Sequence, residues 1–155
     1  MRMIVLALMF FVFLVATPRI AAAEPFLKTP VNTVIDCASG LEWLPYKDGD
    51  TFWPEGEQWA KKLGQGWRMP TSREVATLYT RGSVKNYWGA MHVDRVFYFI
   101  GRNIWSGDEA NANSRYCLDM LSNTKHARSR GDAFLNRTFA VRKATDMRLC
   151  TPPRN

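Results

Sequence analysis

The chain has 155 residues, of which 46% are apolar and 23% charged, and a formal net charge of +7. That length excludes an array of several domains and leaves room for one domain with its own core. A moderate positive balance serves plain solubility as well as attraction to anionic polymers, so charge alone selects no partner.

The first 23 residues carry a positive start at Arg2, an apolar run from Met3 to about Ala16, and Ala21-Ala22-Ala23 before Glu24. This layout predicts a secretory signal peptide over residues 1–23, cleaved after Ala23. The apolar run is shorter than the ~20 residues a spanning helix needs, and Pro18 and Arg19 interrupt it, so no stable membrane insertion is expected. No cysteine follows the small residues, which argues against a lipid anchor. The expected location is secreted or periplasmic. Cleavage also removes Arg2 and Arg19 and lowers the net charge by two.

Residues 24–33 contain two prolines and little periodicity, and read as an extended lead-in to a single domain over 34–150. Val34-Ile35-Asp36-Cys37 and Leu41-Glu42-Trp43-Leu44 flank Ala38-Ser39-Gly40, which predicts a hairpin. After a loop at residues 45–50, Pro54 suits a first helical position, Glu55 and Glu57 suit its N-terminal end, and Lys61 and Lys62 suit the other. Gly64 suits the left-handed cap. Trp59 and Leu63, four apart, share the face of this helix that turns inward.

Thr71-Ser72-Arg73-Glu74 fits a capping box, and Val75, Leu78 and Tyr79 supply an apolar face, so a second helix begins near Ser72. Pro70 keeps the preceding residue extended. Residues 80–103 mix aromatics with glycines and read as irregular, with a short aromatic segment over 96–100. Later strands are expected at Ile104-Trp105-Ser106, from Arg115 to Met120, and at Phe139-Ala140-Val141-Arg142. A hairpin, two helices and then strands predict an α+β domain.

Three cysteines follow the signal. An odd number leaves one outside any internal bond. Cys37 and Cys150 lie near the two ends of the domain and make the preferred disulfide. Cys117, between Tyr116 and Leu118, reads as a small core residue.

Several fragments then occur in a telling order: Ser39-Gly40-Leu41-Glu42-Trp43, the helix led by Trp53, Trp67-Arg68-Met69-Pro70-Thr71 with Glu74-Val75, Ile104-Trp105-Ser106, and Phe139-Ala140-Val141-Arg142. Together they resemble the C-terminal domain family of the Legionella collagen-like adhesin, over about residues 34–143. The resemblance implies a C-type-lectin-like fold, two short helices beside a small mixed or antiparallel sheet, with the termini close together. It further implies a surface or secreted binding domain, with glycans the best-supported ligand class. The chain departs from the family by lacking a cysteine in the first helix and another in the closing strand, and by having Gly107 where the family has a second serine.

Three segments carry candidate chemistry. Trp67, Arg68, Pro70, Thr71 and Glu74 form a motif read as structural, with Trp67 and Arg68 clamping the turn between the helices. Residues 107–114 read as a loop, and Asp108, Glu109, Asn111 and Asn113 there are the oxygen donors that calcium takes, although their spacing is not that of the twelve-residue calcium loop. Lys125, His126, Arg128 and Arg130 form the densest basic cluster. As a strand it would place His126, Arg128 and Arg130 on one side and Lys125 on the other, a row suited to an acidic polysaccharide or to a solvated edge. Arg130-Gly131-Asp132 and Asn136-Arg137-Thr138 spell a receptor tripeptide and a glycosylation acceptor, short enough to occur by chance.

No glycine-rich phosphate loop, nucleophile elbow or H-E-x-x-H helix is present, so no catalytic residues and no cofactor other than calcium are expected. The formylglycine-generating oxidases of the lectin-like fold are the enzymatic alternative, but their chemistry requires a close cysteine pair. Nucleic acid is disfavoured by export. The expected function is a non-catalytic exported binding domain for an acidic glycan or surface ligand. The alternative is a structural or protein-interaction subunit of an envelope assembly, using aromatics such as Tyr87, Trp88 and Tyr98.

Overall fold

The expected hairpin is present: β2 (Val34–Asp36) pairs antiparallel with β3 (Leu41–Pro45), setting Val34 opposite Trp43. Its turn is held by Asp36, whose carboxylate accepts from the amides of Ala38 and Ser39, while Gly40 adopts φ 70°. The computed structural model describes residues 25–47, 49–86, 89–98 and 101–151, with backbone only over 81–86. The signal peptide over 1–23 and the aromatics Tyr87 and Trp88 lie outside the described residues. Among the described residues no helix is long and apolar enough to cross a membrane.

The lead-in is more ordered than expected. β1 (Phe26–Lys28) pairs with β2, and β10 (Phe139–Lys143) pairs with β3, giving a four-stranded sheet in the order β1-β2-β3-β10. The Cys37–Cys150 disulfide, which spans 113 residues of sequence, ties the residue after β2 to the 3-10 turn that follows β10. A second four-stranded sheet, β8-β7-β6-β9, is built from β6 (Asn103–Asn111), β7 (Ser114–Asp119), β8 (Thr124–Ser129) and β9 (Asn136–Arg137). The β6–β9 pair is parallel and the others antiparallel, so the sheet is mixed.

Two sequence expectations are corrected. Residues 79–93 are a hairpin of β4 (Tyr79–Asn86) and β5 (Gly89–Val93), followed by one 3-10 turn at Arg95–Phe97. The register shifts between Tyr79 and Val84, and such an irregularity breaks the period of two by which strands are recognised. Residues 107–114 are likewise not a loop. β6 runs to Asn111, and a two-residue turn returns the chain into β7 at Ser114. The outer half of β6 extends beyond the core into solvent, which is why its sequence is polar.

α1 (Trp53–Lys62) and α2 (Ser72–Thr77) start and stop where local chemistry directs. Pro54 opens α1, and Gly64 follows its cap at φ 63°. At α2 the Thr71 hydroxyl accepts from the Glu74 amide, and Glu74 Oε2 accepts from the Thr71 amide at 2.8 Å. Gly56 lies where α1 presses on the strand region: an added Cβ would lie 2.4 Å from Thr138 Oγ1. It weakens the helix intrinsically but permits this approach.

Alternation along the strands divides the core in two. Ile104, Leu118, Phe139 and Val141 face Trp43, Val75, Leu78 and Met91. Trp105, Cys117 and Ala140 face the other way, onto Trp53, Ala60 and Met69 of the α1 side. Each fully buried aliphatic such as Ile104 contributes about 1.5–3 kcal/mol relative to exposure. The molecule is therefore an α+β domain with the β7–β8 ribbon at one edge.

Candidate functional site

The ribbon β7–β8 carries the basic cluster. A strand's period of two sends Lys125, Ala127 and Ser129 to one side, where they are exposed. His126 and Arg128 go to the other, where they are half-buried, and Arg130, in the turn one residue past the end of β8, is half-buried as well. The register sets His126 opposite Cys117 and Arg128 opposite Arg115.

These four residues do not form one uniform row of available cations. His126 Nε2 is buried without a partner, and burial together with the Arg128 charge holds its imidazole below the usual range, so it is neutral at pH 7. Arg128 donates to Asp132 Oδ2 at 2.8 Å. Lys125 lies on the opposite side, its Nζ 4.2 Å from the Tyr116 ring centre. Beneath the ribbon, burial pushes the Cys117 thiol up to about 12, which leaves it inert as a nucleophile.

Arg130 is different. Its guanidinium carbon lies 5.0 Å from the centre of the Trp53 ring, and among the described residues it has no carboxylate partner. Arg115 approaches the same ring at 4.5 Å, while its Nη1 donates to the carbonyls of Asn111 and Ser114, both at 3.0 Å. Trp53 itself is buried and fixed by an indole hydrogen bond to the Ser106 carbonyl at 2.8 Å. A rigid indole thus supports two cations; Arg130 Nε is buried without a partner among the described residues, which leaves its two Nη groups to meet an outside acceptor.

Arg130 borders an open depression of about 550 Å³ lined by Phe52, Pro54, Asn113, Ser129 and Gly131. Phe52 is 43% exposed there. The Arg130 amide donates to the Asn113 carbonyl at 3.0 Å, so the segments 107–114 and 125–130 meet at this point. The arrangement offers an anion a planar guanidinium fork, an amide beside it, and an apolar wall. Sequence reasoning found Arg130 and Asn113 but missed Phe52, Trp53, Pro54 and Arg115. Phe-Trp-Pro reads locally as a helix start, and only the sheet register brings Arg115 to it.

Three of the four oxygen donors proposed for calcium are engaged separately. Asp108 Oδ2 accepts from the Ser72 amide at 2.8 Å, capping α2. Glu109 faces Arg115 at 3.7 Å, and Asn111 Oδ1 accepts from the Asn113 amide at 3.0 Å. Asn113 lies in the turn, away from Asp108 along the strand. Among the described residues no group of three or more His, Cys, Asp and Glu could hold a metal ion.

The Trp67-to-Glu74 motif is tied into the frame. Arg68 grips Glu74 with two hydrogen bonds, at 2.8 and 2.6 Å, and its backbone pairs with Val141 in both directions. The hydrogen bond from Arg68 holds the Glu74 carboxyl below the usual carboxylate range. The Pro70 carbonyl accepts from the Gly107 amide at 2.7 Å, and the Trp67 ring lies 4.5 Å from the Arg142 guanidinium. Gly107 packs tightly there, since an added Cβ would lie 3.2 Å from Met69 Cβ. No protein-family model matches the chain, and no curated protein matches it.

Proposed function

We propose that the protein is a non-catalytic, exported binding domain with a C-type-lectin-like fold, and that it recognises an acidic glycan through the depression beside Trp53. The observation that carries this reading is Arg130, held over a buried indole at the mouth of a depression walled by Phe52 and Pro54, with no carboxylate partner among the described residues. A sulfate or uronate would take the guanidinium fork, with the Asn113 amide in reach of a neighbouring hydroxyl and the sugar's apolar face against Phe52. The disulfide suits an oxidising compartment. The resemblance to the collagen-like adhesin family is in keeping with this ligand class.

Calcium has no part in the proposal, because Asp108 and Glu109 already serve α2 and Arg115. Catalysis has none either, as the buried Cys117 and neutral His126 are unsuited to nucleophilic work. The test is salt-graded retention on an immobilised sulfated polysaccharide. Arg130→Ala should elute well before the unaltered protein, and identical elution would refute the assignment.

A further inference from the structure

A set of hollows that shares no lining residue with the Arg130 depression lies around the C-terminal end of β3. Three adjoining hollows share Pro45 and Lys47 there. The largest, about 490 Å³, lies between Tyr46 and α1, with Trp59 and Leu63 as its far wall. The next, about 200 Å³, runs past Val96 to Lys28 and Tyr98. Tyr46 and Trp59 meet edge to face with ring centres 4.9 Å apart.

Tyr98 caps the 3-10 turn in the left-handed region, at φ 49° and ψ 45°, and its side chain is 83% exposed. A bulky residue there is strained, and strain of this kind concentrates at binding sites and switches. The strain positions a large aromatic in solvent at the edge of an apolar groove.

We propose that this groove docks an extended segment of a partner protein that presents proline or aromatic side chains flanked by carboxylates. Charge complementarity sets the flanks. Lys28 and Lys47 are exposed at the rim with no carboxylate partner among the described residues, and no described Asp or Glu lines the three hollows. The lining is mostly proline, leucine, valine and aromatic rings; besides the lysines, its polar members are Asn32, Thr138 and Arg137, the last paired with Asp50. A sugar's many hydroxyls would go unpaired on such a floor, whereas apolar side chains lose nothing by burial there. Lys47 lines all three hollows and Lys28 lines the second, so carboxylates beside the apolar anchor would meet them.

The experiment is a heteronuclear NMR titration of the intact domain with two synthetic peptide pools, both rich in Pro, Trp and Leu, one flanked by Asp and Glu and the other by Lys. The acidic pool should shift Tyr46, Trp59 and Tyr98 and bind at least about tenfold tighter than the basic pool. Lys28→Glu with Lys47→Glu should reverse that preference, and Tyr98→Ser should weaken both pools. Both variants change exposed side chains, and unchanged amide spectra away from the groove will verify their fold. Equal binding of the two pools, no shift in the groove, or groove shifts with a sulfated oligosaccharide in place of peptide would overturn the proposal. Retention on sulfated polysaccharide should be unaffected by Tyr98→Ser, which separates this surface from the Arg130 site.

Discussion

The Arg130 guanidinium stands 5.0 Å from the centre of the Trp53 ring, although 77 positions of sequence separate the two. The indole cannot turn away, because its nitrogen is bonded to the Ser106 carbonyl. The cation is thereby positioned, and among the described residues no carboxylate neutralises it.

Arg130, Arg128 and His126 should therefore differ in their effect on binding. Arg130→Ala should cost an acidic glycan roughly tenfold or more in affinity, in line with the 1.5–3 kcal/mol of a hydrogen bond to a charged group. Arg128→Ala should cost less, since Arg128 is committed to Asp132, and His126→Ala should leave the salt dependence of binding unchanged. Retention measured over a salt gradient distinguishes the three.

Acid should loosen the junction between the helices. The folded-state pKa of Glu74 is lowered, so its contribution is complete above the ordinary carboxylate pKa and is lost as pH falls through the lowered value. His126, also lowered, is protonated in the unfolded chain first and subtracts stability as pH falls below its ordinary value. Thermal midpoints should decline from pH 7 toward pH 3, and Glu74→Gln should flatten the part of that decline below the ordinary glutamate value of ~4.3. An unchanged slope in Glu74→Gln would exclude the carboxylate as its source.

Cys117 should not react with iodoacetamide at pH 8 while the domain is folded, because its thiol is buried and its pKa is pushed up to about 12. Mass spectrometry should find it alkylated only after denaturant is added. Rapid labelling of the native protein would contradict its place in the core.

Breaking the Cys37–Cys150 bond should lower stability by roughly 5 kcal/mol, the loop-entropy value for a closed segment of this size. The pair of Cys→Ser substitutions, followed by denaturant unfolding, measures it. A loss below about 1 kcal/mol would mean that the two ends hold together without the bond.

What was legible in the sequence was local. The β2–β3 hairpin is written in Ser39-Gly40, the α2 start in Thr71 and Glu74, and the preference for Cys37–Cys150 in the positions of three cysteines. The β4–β5 hairpin was not legible, because its register shift hides the alternation. The length of β6 was missed because its outer half is solvated and reads as a polar loop. The site was half legible: Arg130 and Asn113 stand out by residue type, but Trp53 and Arg115 join them only through pairing between distant segments.

The most direct test of the central claim is calorimetric titration of a sulfated oligosaccharide into the unaltered domain and into Arg130→Gln, at low and at physiological salt and with and without a calcium chelator. The account predicts binding that weakens with salt, survives the chelator, and falls about tenfold in Arg130→Gln with folding unchanged. Equal affinity in the two proteins, or binding abolished by the chelator, would contradict it.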